Sequence, residues 1–183
     1  MKRRYWLACA GVLFAAAVAL KGWFSFTELA SNREWQAIPA GPDGTALKGV
    51  QVSVQQQTAA ITTQRPNYAA LFVRLQLNLA PNASQAWQDC RVSLHGEDGQ
   101  IWRPVTTGDV YGVVKMLARD GKNLGLCNMH SHTEQKEAET RGADQLFLVP
   151  VEALDTLHVH VSGLGTRPEA ISIPLTPSIR RLP

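Results

Sequence analysis

Leu71-Phe72-Val73-Arg74-Leu75-Gln76-Leu77-Asn78-Leu79 is the stretch whose reading decides the fold. Leu71, Val73, Leu75, Leu77 and Leu79 share one side of an extended chain, with Phe72, Arg74, Gln76 and Asn78 on the other. Successive side chains of a strand point to opposite faces, so this alternation marks a strand with one face in a core. The same period runs through Val50, Val52 and Val54 upstream, and through Cys90, Val92 and Leu94 downstream. Glu97-Asp98-Gly99-Gln100 supplies an Asp-Gly hairpin turn, because glycine tolerates the positive φ such turns require, and Ile101-Trp102-Arg103 begins the return strand.

Further strands are expected at Gln145–Val149, Thr156–Ser162 and Ala170–Leu175. Val110, Val113, Val114 and Leu117 have helical spacing, but a loop or strand fits that segment equally well. About seven short strands broken by turn signals indicate an all-β fold, an antiparallel β-sandwich. Residues 130–144 carry few apolar side chains and read as a long exposed loop. Residues 27–47 contain Pro39, Gly41, Pro42 and Gly44 and read as a linker ahead of a sandwich domain at 48–176, with a frayed basic tail at 177–183.

The chain has 183 residues and a formal charge of +3. Lys2, Arg3 and Arg4 account for all of that excess, so the remainder is balanced and a nucleic-acid partner is not expected. Those three cations precede Tyr5–Leu20, which is uncharged. A basic head before an apolar run is the physical signature of an export signal. Ala17-Val18-Ala19 would suit cleavage, but apolar character resumes at Gly22-Trp23-Phe24-Ser25-Phe26. Read through Phe26, the run is long enough to span a bilayer, so residues 1–26 are expected to be a retained signal anchor, a single transmembrane helix. The body then lies in a periplasmic or extracytoplasmic space on a bacterial inner membrane.

In such an oxidising compartment Cys90 and Cys127 are expected to form a disulfide. Chain entropy assigns a loop of that length on the order of 4 kcal/mol. Cys9 fits as a small apolar residue of the anchor.

The succession Leu71–Leu79, Trp87–Leu94 with Cys90, Asp98-Gly99-Gln100-Ile101-Trp102 and Phe147-Leu148-Val149-Pro150 before a final pair of strands resembles the immunoglobulin-like domains of bacterial membrane-anchored envelope proteins. The likeness covers roughly residues 48–175 and implies a fold and a location, with no catalytic residues to carry over.

No nucleophile elbow, phosphate loop, zinc-protease helix or dinucleotide fingerprint occurs in the sequence. Gly163-Leu164-Gly165 reads as a turn. The histidines are the one chemical feature: His130-Ser131-His132 follows Met129, and His158-Val159-His160 lies on an expected strand. Residues at i and i+2 of a strand share a face, a workable chelating geometry, and a thioether beside imidazoles would suit copper. The sequence thus supports two expectations. One is a non-enzymatic, membrane-anchored accessory or scaffolding domain that binds an envelope protein partner through sheet edges and the 130–144 loop. The other is a periplasmic copper or zinc binder using His130, His132, His158 and His160.

Overall fold

The computed structural model describes residues 11–23, 36–40, 45–127 and 137–183. The chain divides into two units, residues 1–33 and residues 34–183. In the first, residues 11–23 form helix α1. At 1.5 Å per residue such a helix rises about 20 Å. Among the described residues no helix is long and apolar enough to cross a membrane.

In the second unit, the aliphatic alternation around Leu75 becomes the centre of a sheet. Strands β3 (Val50–Thr62) and β4 (Tyr68–Leu79) run antiparallel, with Val52 opposite Leu77 and Ala59 opposite Leu71. A bulge between Val54 and Gln56 shifts the register of β3, so Val50 and Val52 on one side of it and Ala59 on the other all reach the same core. β7 (Glu139–Pro150) pairs with the other edge of β4. β10 (Ser178–Leu182) and β2 (Thr45–Leu47) both pair with β3, giving sheet II in the order β10-β3-β4-β7 with β2 beside β3. Sheet I has the order β1-β9-β8-β5-β6, from β1 (Gln36–Pro39), β9 (Glu169–Pro174), β8 (His158–Ser162), β5 (Arg91–His95) and β6 (Ile101–Trp102).

The inner faces of both sheets meet in one core that includes Leu71, Val73, Leu75, Phe147, Leu94, Val159, Val161 and Ile171. The disulfide Cys90–Cys127 lies within it, with Cα atoms 5.6 Å apart, as the alternation at Cys90 leads one to expect. Trp87 is buried beside it and donates its indole N–H to Leu47 O at 3.0 Å.

Several sequence expectations need correction. The described residues hold ten strands, not about seven, and two pairings are parallel: β1 with β9, and β10 with β3. The linker 27–47 contributes β1 and β2, and the tail 177–183 is β10. These strands are short edge strands: β1 sends Ile38 toward the core, and Pro39 is tolerated because an edge leaves one side of the backbone unpaired. β2 reaches β3 through Lys48 (φ 48°) and Gly49 (φ 81°), the positive-φ pair that two-residue hairpins favour. Residues 139–144 of the expected 130–144 loop are the start of β7, while residues 128–136 lie outside the described residues.

The helical spacing at 110–117 is realised as α2 (Val110–Leu117), capped by the Asp109 carboxylate, which accepts from Gly112 N. It packs on the outer face of sheet II, where Val114, Leu117 and Ala118 cover Ala60, Phe72 and Leu146. That explains Phe72, the apolar residue on the otherwise polar side of β4.

Gly163 and Gly165 make the expected turn. Leu164 N donates to Gln88 O at 2.7 Å and Gly165 N to Ala86 O at 2.9 Å. A Cβ at Gly163 would collide with the Ala86 carbonyl oxygen and with Trp87 Cα, so only glycine lets the two backbones approach so closely.

Candidate functional site

Val159 and Val161 of β8 are in the core, which turns His158, His160 and Ser162 to the outer face of sheet I. The same rule puts Ser93 and His95 of β5 on that face, because Val92 and Leu94 point inward. Pairing then decides the neighbours: Ser93 lies opposite His160, His95 opposite His158, and Ser172 of β9 on the other side of His160. The structure therefore adds His95 to the sequence-predicted pair His158 and His160. Alternation shows only that His95 faces outward; its place beside His158 comes from a pairing between strands distant in sequence.

The His95 and His160 rings stack at 3.7 Å between centroids and 16° between planes. Ser93 Oγ lies 3.0 Å from His95 Nε2. His160 is only 8% exposed, and its Nδ1 is buried without a hydrogen-bond partner. Burial lowers its pKa to about 4, with His95 and His158 adding smaller electrostatic contributions in the same direction. His160 is therefore neutral at physiological pH.

A neutral imidazole is a good metal ligand, but its lone pair lies in the ring plane. Two nearly parallel stacked rings aim their lone pairs side by side, so His95 and His160 do not converge on a common ion as they stand. Among the described residues no group of three His, Cys, Asp or Glu side chains is placed to hold a metal. His130, His132 and Met129 lie outside the described residues. Cys127, bonded to Cys90, offers no thiolate.

The second surface is the outer face of sheet II beside α2. Register places Arg180, Ala60, Ala70 and Leu148 in one row across the strands. The next row toward the sheet end includes Leu182, Thr62, Tyr68 and Pro150. α2 covers Ala60, while Ala70 and Leu182 sit at the margin of its contact. Beyond that margin Tyr68 is 49% exposed and Leu148 47%. The result is an uncovered apolar strip running on from the helix footing, which the sequence does not announce because Tyr68 and Leu148 lie on strands distant in sequence.

The other side of α2 is fastened by charge. Arg74 grips Asp144 with Nε to Oδ1 at 2.7 Å and Nη2 to Oδ2 at 2.8 Å, and its Nη1 meets Asp120 Oδ1 at 2.9 Å. Arg74 also donates to Lys122 O, and Asp144 accepts from Leu124 N. The hydrogen bond to Asp144 raises the Arg74 pKa further, and the hydrogen bond from Arg74 lowers that of Asp120. Gln56 donates to Leu117 O and accepts from Arg119 N. These bonds pin the segment after α2 on its way to Cys127, a clamp with a structural task.

No protein-family model matches the chain, and no curated protein matches it. Two solved structures are similar. One is a candidate lipoprotein from Staphylococcus aureus subsp. aureus NCTC 8325, at TM-score 0.44 and 8% identity, covering 79% of this chain and 97% of that one. The other is a conserved hypothetical protein from Bacillus anthracis, at TM-score 0.40 and 14% identity, covering 72% of this chain and 94% of that one.

Proposed function

We propose that this chain is a non-enzymatic accessory domain of a bacterial cell envelope that binds a protein partner. In this reading residues 1–26 anchor it in the inner membrane as a single pass, and an immunoglobulin-like sandwich stands in the periplasm. The observation that carries it is the uncovered strip of Tyr68, Ala70 and Leu148 beside α2. Half-exposed apolar side chains grouped on one face favour a contact surface over a solvated one. The basic head before an apolar run supports the anchor, and the buried disulfide suits an oxidising compartment. A tether would raise the domain's effective concentration toward partners in the same membrane.

The test is a pull-down of the full-length chain from crosslinked membranes of its own host, beside a Tyr68→Ser/Leu148→Lys variant. One stoichiometric envelope protein is expected with the parent chain and is lost with the variant. Failure to recover any reproducible partner would overturn the accessory reading. In the copper or zinc reading His158 and His160 would act with His95, and a ring must leave the His95–His160 stack before these side chains can share an ion. Calorimetric titration with each metal tests it directly.

A further inference from the structure

Resting on the partner reading above, we propose that the strip beside α2 seats an acidic amphipathic helix of the partner, laid next to α2 on sheet II. The footing of α2 shows what this face accepts: Val114 and Leu117 sit over Ala60, Phe72 and Leu146, small and large apolar residues from three adjacent strands. The strip repeats that pattern. Ala70 provides a low floor, with Leu148 beside it on β7, Tyr68 two residues along β4, and Leu182 on β10. A helix settles into such a floor through residues at i, i+3, i+4 and i+7.

The step in height argues against a flat occupant. α2 stands one layer above the strip, and its outward Tyr111 and Met116, both more exposed than Tyr68, would meet a flat surface first. A rod of helical diameter lying along α2 reaches the floor and contacts the helix flank as well.

Charge gives the sign of the occupant. By register, Arg180 stands at the end of the Ala60–Ala70–Leu148 row, and no acidic residue shares the two rows of the strip. Arg65 is exposed in the turn between β3 and β4, three residues before Tyr68, and Lys115 lies over the Tyr111 ring at 4.7 Å. The nearest acids in sequence are Glu152, beyond the end of β7, and Asp109, whose carboxylate is occupied in capping α2. A partner helix with carboxylates flanking its apolar stripe complements this rim.

The test places the photo-crosslinker p-benzoylphenylalanine at Tyr68, or at Ile101 of sheet I as control, in the full chain within membranes of its own host. Crosslinked peptides are mapped by mass spectrometry. The expected result at Tyr68 is a partner segment crosslinked at positions three or four apart, in which Asp and Glu outnumber Lys and Arg, with none at Ile101. Arg180→Glu, at an exposed position, should lower the adduct yield roughly tenfold, the equivalent of about 1.4 kcal/mol. Lipid adducts, a basic or non-helical segment, or no adduct at Tyr68 would overturn the helix docking. If the pull-down still recovers the partner, the accessory reading survives that failure; if it recovers nothing, both fall.

Discussion

Acidification should destabilise this protein through His160, and the size of the effect can be worked from its surroundings. An unfolded chain holds a histidine with pKa near 6.5, whereas native His160 titrates at about 4. Between those values the unfolded chain carries the proton and the folded one does not, so stability falls as pH drops through 6.5 and goes on falling to about 4. At neutral pH the contribution is fully present. Each tenfold difference in proton affinity is worth about 1.36 kcal/mol, so the loss over the window is about 3 kcal/mol. His160 is 8% exposed and its Nδ1 meets no partner, so solvent does little to screen the effect. His160→Phe keeps a ring against His95 and removes the titration. Urea unfolding of the full chain in mild detergent, followed by tryptophan fluorescence at pH 7, 6, 5 and 4.5, compares the two. The native chain should lose about 2–3 kcal/mol more than the variant between pH 7 and 4.5. His95 and His158 are retained in both chains, so the difference between the curves reports what the loss of His160 changes. Parallel curves, agreeing within about 0.5 kcal/mol, would refute the reasoning and show that His160 keeps an ordinary proton affinity.

Asp144→Ala leaves the Arg74 guanidinium half-buried without its bidentate partner and should cost about 3–5 kcal/mol, read as a lower urea midpoint. Asp120→Ala removes solvent-screened surface contacts to the same arginine and to Lys122 N and should cost much less, so equal losses would refute the assigned roles. Cys90→Ser should lower stability by about 2–5 kcal/mol, and non-reducing mass mapping of the native chain should find Cys90 joined to Cys127. Phe72→Ala should cost about 3–5 kcal/mol, and hydrogen exchange should show α2 losing protection before the strands do. Gly163→Ala should cost at least about 1–3 kcal/mol, because the added methyl meets backbone; a neutral result would show that the turn has room to shift.

The candidate surfaces are legible in the sequence where local sterics alone set them. That His158 and His160 share a face follows from strand alternation, and the burial of Val159 and Val161 bears it out. His95 could not be joined to them, since only the β5–β8 register places it opposite His158. The Tyr68–Leu148 strip was hidden for the same reason, because its members lie on β4 and β7. Phe72 breaks the polar side of β4 in the sequence, and its cause, α2, is visible only in the fold.

The sequence by itself determined the β character, the faces of β4, β5 and β8, and the cysteine pairing, because side-chain period and compartment chemistry act over a few residues or on residue types alone. Tertiary structure decided the rest. Short edge strands such as β1, β2 and β10 carry too few residues to show a period, and they form because a neighbouring strand offers unpaired backbone groups. The partners of Arg74, the companion of His160 and the floor beside α2 are all products of register, which brings together residues that the chain itself keeps far apart.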